Sequence, residues 1–137
     1  MAQMIFVNLP VSDLERSKAF YQAIGFSLNL NFADDTSCCV VISEHIFLMI
    51  LTHPRFESFA TLPRADTQKS TAALIALTRD SRAAVDAITE AALAAGGTEP
   101  KPFDDHGFMY TRTFQDPDGN VFEPFWMDPS AIPNAGS

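Results

Sequence analysis

The residue most able to do chemistry in this chain is Glu123, set in the segment Val121-Phe-Glu-Pro-Phe-Trp-Met127. Successive side chains of an extended chain point to opposite faces, so Val121, Glu123 and Phe125 share one face and Phe122, Pro124 and Trp126 the other. The residues before it, Asp116-Pro-Asp-Gly-Asn120, read as a turn in which Pro117 presets its own φ and Gly119 can take a positive one. If those residues close a hairpin, Thr113 stands opposite Glu123 and Thr111 opposite Phe125. One carboxylate and two hydroxyls on an apolar wall is the composition of a small-molecule site. Desolvation penalises a charged carboxylate, which suits such a group to general acid or base work. The same carboxylate can instead be held by a threonine hydroxyl or an arginine, with no chemistry attached.

The other candidates are dispersed. His45 falls in a turn, His53 ends a strand and His106 lies in a loop, so the three histidines do not form a metal cluster; such a site needs about three donors. His106 and Tyr110, in Asp105-His-Gly-Phe-Met-Tyr110, are placed to close the mouth of a cavity. Cys38 and Cys39 are the only cysteines. As strand neighbours they point apart, which predicts two reduced thiols and, by default, a cytoplasmic location.

The elements that must position these groups follow from periodicity. Met4 to Pro10 alternates as a strand, with Ile5, Val7 and Leu9 on one face and Phe6 and Asn8 on the other. Ser12 and Glu15 fit a capping box that opens a helix ending at Gly25. Strands follow at 26–32, 37–43 and 46–52. Residues 53–70, with Pro54 and Pro63, read as a connecting loop, which at that length is often a binding loop. The pattern then repeats: a strand at 71–78, a helix opened by Asp80 or Ser81 and closed by Gly96-Gly97, then strands at 98–103, 108–115 and 121–127. Two βαβββ modules, 4–52 and 71–127, thus make one domain of residues 1–129, followed by a flexible tail at 130–137.

A chain of 137 residues with 47% apolar residues is long enough for one self-sufficient core. The formal charge of -8, with no run of Lys or Arg, argues against nucleic acid or an anionic membrane as partner. The start, Met-Ala-Gln-Met-Ile-Phe-Val-Asn-Leu-Pro10, lacks the pattern of a signal peptide, and the longest apolar run, Ile46 to Leu51, is too short to span a bilayer.

Two segments taken together, Phe6-Val-Asn-Leu-Pro-Val-Ser-Asp-Leu…Phe20-Tyr…Gly25-Phe and Phe114-Gln-Asp-Pro-Asp-Gly-Asn-Val-Phe-Glu123, resemble the vicinal oxygen chelate superfamily. That superfamily includes glyoxalase I, bleomycin- and fosfomycin-resistance proteins and extradiol dioxygenases. The resemblance runs from Met4 to Met127. The segment at Asp105–Tyr110 with Trp126-Met-Asp128 looks closest to a bacterial branch related to lactoylglutathione lyase. The resemblance implies an α+β fold in which two βαβββ modules form curved mixed sheets around a central cavity, helices outside. It places family metal ligands at or near Phe6, Ile50, Ala72 and Glu123. Of these side chains only Glu123 can bind a cation, so the expectation is that no metal is held.

The inward face is then expected to carry Phe6, Asn8, Leu48, Ile50, Ala72, Leu74, Thr111, Thr113 and Glu123. Four functions stay open, the last a purely structural interaction module whose cavity is filled by the protein's own side chains. The first is a metal-free, dimeric protein that binds a small, partly apolar molecule, as the 12 phenylalanines favour. The second is a metal-dependent lyase or isomerase of the glyoxalase type. The third is a metal-independent acid/base enzyme that uses Glu123.

Overall fold

The computed structural model describes residues 2–131. In the first module β1 (Ile5–Val11) leads into α1 (Leu14–Ala23), then β2 (Ser27–Ala33), β3 (Ser37–Ser43) and β4 (Ile46–Thr52). The connection that follows is partly ordered as α2 (His53–Phe59). Pro54 explains why a helix can start there, since a first-turn proline has no N–H for the helix to lose. The second module contains β5 (Leu74–Thr78), α3 (Arg82–Ala94), β6 (Asp104–Asp105), β7 (Met109–Thr111), β8 (Phe114–Gln115) and β9 (Val121–Met127). Of the tail expected at 130–137, Ser130 and Ala131 belong to a 3-10 turn, and residues 132–137 lie outside the described ones.

α1 and α3 start at side-chain caps. Asp13 accepts the N–H of Arg16 at 3.1 Å, and Ser81 accepts the N–H of Ala84 at 3.1 Å. The cap of α1 is thus Asp13, not the expected Ser12, whose own N–H donates instead to Asp118 across the modules at 2.9 Å. The strand expected at 98–103 shrinks to a single bridge between Thr98 and Gln115. Pro100 and Pro102 remove two of the donors a ladder there would need.

Two sheets result. One has the order β1-β4-β3-β2; the other runs β5-β9-β7-β6, with β8 also on β9. In each, the first and last strands of the module pair in parallel, β1 with β4 and β5 with β9. The core lies on the helix side of both sheets and is continuous between modules. It joins Leu9, Val11, Val40, Leu48 and Ile50 to Phe20 and Tyr21 of α1, Ile88 and Ala92 of α3, and Phe114 and Phe122. Burial of this apolar surface is the main source of stability. Among the described residues, no helix is long and apolar enough to cross a membrane.

Candidate functional site

The face of each sheet away from the helices can be read from register. Phe6 pairs with Phe47 and Asn8 with Met49, whereas Val7 pairs with Leu48 and Leu9 with Ile50. Paired residues share a face, so Leu48 and Ile50 lie with Val7 and Leu9 under the helices, and both are 0% exposed. This corrects the expectation that Leu48 and Ile50 line a cavity. The strand was read one residue out of phase because Ile46 to Leu51 is apolar throughout and carries no alternation. The open face carries Phe6, Asn8, Phe47 and Met49, with Phe6 and Phe47 stacked at 4.6 Å between ring centroids.

In the second sheet Leu74 pairs with Val121, Ala76 with Glu123 and Thr78 with Phe125. Thr111 stands opposite Phe125, and Phe114 opposite Phe122. The same register runs through both pairs, which puts Thr113 across from Glu123. Thr113 is buried, while Glu123 and Thr111 are half-buried. No hydrogen bond or ion pair reaches the Glu123 carboxylate among the described residues; neither Thr113 nor an arginine holds it.

The internal repeat locates the positions that correspond between modules. Phe6 lies seven residues before the cap Asp13, and Leu74 lies seven before the cap Ser81. By the same count Asn8 matches Ala76, so Met49, the partner of Asn8, matches Glu123, the partner of Ala76. The four equivalent inward positions are therefore Phe6, Met49, Leu74 and Glu123. Met49 and Leu74 replace the expected Ile50 and Ala72; Ala72 precedes β5 altogether. A divalent cation needs several oxygen, nitrogen or thiolate donors. This set offers one carboxylate, one thioether and two hydrocarbons, which does not fit a catalytic metal. Among the described residues there is likewise no group of three or more His, Cys, Asp or Glu able to hold one.

β1 and β5 each form one edge of their sheets. A cavity of about 190 Å³ lies between them, bounded by Asn8, Leu9 and Pro10 of β1, by Ile75 and Val121 of the second sheet, and by the 65–73 connection. Phe56 of α2 lines it too, and a shallower hollow beside it is formed by Asn8, Leu51, Phe56, Phe59 and Ala60. Asn8 and Ala72 are the expected residues that this region does use. The 53–70 connection is expected as a binding loop from its length, but Phe56 and Pro10 are not singled out by the sequence, because nothing in a proline-punctuated linker shows which edge it will cross. Thr67 donates to the Asp118 carbonyl, and Gln68 to that of Pro117 at 2.9 Å, tying the connection to the turn before β9. Gly119 has φ 90°, and a Cβ there would collide with the Thr67 carbonyl.

That turn is polar and buried. The Asp116 carboxylate accepts the N–H groups of Asp118 (3.0 Å) and Asn120 (2.8 Å), the Asn120 amide (2.9 Å) and the Tyr21 hydroxyl (2.7 Å). Burial nevertheless raises its pKa, against the lowering effect of these donors. Burial and the neighbouring Asp116 charge push the Tyr21 hydroxyl well up as well. Asn120 also donates to the Pro10 carbonyl at 3.2 Å, so the cluster fixes the end of β1 against the start of β9.

His106 does not close the cavity. It is exposed in the turn between β6 and β7, at the edge of the sheet opposite β5, and its ring lies near Phe108. Tyr110 faces the helix side, where its hydroxyl donates to Asp86 at 2.6 Å. Arg82 stacks on Tyr110 and on Trp126 and forks onto Asp105 at 2.9 Å.

Comparison with known proteins agrees with this architecture. A family model described as "Bleomycin resistance protein-like N-terminal" matches residues 3–43. No curated protein sequence matches. Among solved structures, a hypothetical protein from S. aureus superposes with a TM-score of 0.77 at 24% identity, over 92% of this chain and 94% of that one. A glyoxalase/bleomycin resistance protein/dioxygenase family enzyme from Burkholderia phytofirmans gives 0.75 at 22% identity, over 92% and 99%. A bleomycin resistance determinant encoded on the transposon Tn5 gives 0.63 at 18%, over 93% and 99%. The chain therefore shares the fold of these glyoxalase/bleomycin-resistance structures.

Proposed function

We propose that this chain, built on the glyoxalase/bleomycin-resistance fold, binds a small, partly apolar molecule between its modules and does so without a divalent metal. The observation that carries the reading is the make-up of the inward positions. Where a metal-dependent member needs several donors, this chain presents Phe6, Met49 and Leu74 beside a single carboxylate. A greasy wall with a few placed polar groups, here Asn8, Thr111, Thr113 and Glu123, suits retention of a ligand better than Lewis-acid chemistry. The cavity beside Asn8, with Phe56 and the 65–73 connection as its other wall, gives such a molecule a place to enter.

Ligand-dependent melting tests the proposal. A ligand present at about 100 times its dissociation constant adds about 2.7 kcal/mol to stability, a shift easily seen against a panel of aromatic and aliphatic small molecules. A chain that responds to none of them, and co-purifies with none, does not have this function. Stoichiometric nickel, zinc, manganese or iron in protein purified without chelator would point instead to the lyase or isomerase reading. Glu123 keeps a third reading alive, because its carboxylate has no partner among the described residues and is free to act as an acid or base. In keeping with the same proposal, the buried thiols of Cys38 and Cys39 suit a reducing compartment such as the cytoplasm, and the protein works as a homodimer.

A further inference from the structure

We infer that the molecule bound here is an organic cation with an apolar body, held by Glu123. The inference rests on the binding reading above and names the class of ligand. It comes from the charges on the open face of the two sheets. Strand positions on that face carry no Lys, Arg or His: Arg112 is turned to the helix side, where it meets Asp86, Glu90 and Glu99 at 2.9 to 3.1 Å. Two carboxylates do sit on the face, Asp104 (paired with Thr111) and Glu123. Asp104 is neutralised by Lys101 at 3.1 Å. Glu123 is left with no cation and no hydrogen-bond donor among the described residues, half out of water between Val121 and Phe125.

A half-buried carboxylate without a partner is a cost to the free protein, and a ligand that brings a positive charge with N–H donors removes it. Val121 lines the cavity and lies two residues along the same face from Glu123, roughly 7 Å away. A molecule with its apolar body against Leu74, Val121 and Asn8 would therefore reach the carboxylate with a chain of a few atoms. The formal charge of -8 acts in the same direction at long range by drawing cations toward the protein.

Three probes of one shape separate charge from shape: 2-phenylethylammonium, 2-phenylethanol and 3-phenylpropanoate. Titration calorimetry on the full chain is expected to show the ammonium binding about tenfold tighter than the alcohol, the scale of one charge-assisted hydrogen bond at a half-exposed site, and the carboxylate weakest. Glu123→Gln should abolish the preference for the ammonium over the alcohol and, because it removes the unpartnered charge, should not lower the melting temperature. Raising the salt concentration should weaken the ammonium alone. Equal binding of ammonium and alcohol, or a preference that survives Glu123→Gln, overturns the inference and leaves the binding reading standing. Failure of all three to bind, with no response to a wider panel, overturns both.

Discussion

Asp116 shows how a buried carboxylate can be well bonded and still be costly. Four donors point at it, yet desolvation outweighs them and its pKa lies above that of a free aspartate. An aspartate in the unfolded chain titrates near 4. Above that pH the unfolded chain has released a proton that native Asp116 still holds. The site's contribution to stability is thus complete below about pH 4 and is lost as pH rises through the native pKa. Asp34 and Asp105, lowered to about 2 by their hydrogen-bond donors, have the opposite sign and act below pH 4. Asp116→Asn loses acceptors at every pH but has no proton to release. It should be less stable than the parent protein, with a gap that narrows as pH rises above about 4. Urea midpoints at several pH values check this; a gap that stays constant would remove Asp116 as the titrating group. The carboxylate's environment was not legible in the sequence, where Asp116 was only the start of a turn. Its burial depends on Tyr21, 95 residues away in the chain.

The elements were legible where one face meets water and the other meets a helix. β1 alternates, and of the face Ile5, Val7 and Leu9 that this pattern predicts, Val7 and Leu9 pack on the core while Ile5 stays exposed. The β8–β9 hairpin was equally readable, since Asp-Pro-Asp-Gly fixes the turn and the turn fixes the register of Gln115 with Val121. β4 was not, because both of its faces are apolar and a period of two leaves no trace in Ile-Phe-Leu-Met-Ile-Leu. Only pairing with β1 decides its phase, and this phase decides the candidate site. Leu48→Ala should therefore empty volume from the shared core and cost about 2–5 kcal/mol. Met49→Ala, one residue on and half-buried on the open face, should cost about 1 kcal/mol or less while altering ligand affinity. Denaturant unfolding of both variants measures the difference, and a larger loss for Met49→Ala would reverse the register. Short elements escaped the reading for another reason. α2 has no buried residue and β6 has two residues, so neither leaves a periodic pattern to find.

At the scale of the whole molecule, the modules do not stand as two independent bodies. The contact of Ser12 with Asp118, the bond from Asn120 to Pro10 and the packing of Phe20 on Phe114 join them on the helix side. The start of β1 and β4 is different. Met4, Ile5, Phe6 and Ile46 are 39 to 54% exposed there, with Ile5 and Ile46 paired on the helix-side face and Phe6 on the open one. Contiguous exposed apolar surface of this kind marks a contact with another protein, and a second copy is the partner a homodimer requires. Association would also shield Phe6, whose stacked ring pair with Phe47 forms one wall of the inward face. Sedimentation equilibrium should return twice the mass of one chain. Ile5→Lys, which replaces an exposed residue and spares the core, should return a monomer with an unchanged fold and weaker ligand binding, since a stable interface does not tolerate an unpaired charge at its centre. A single-chain mass for the parent protein at every concentration would mean that this patch faces water, and that each chain must build its binding site alone.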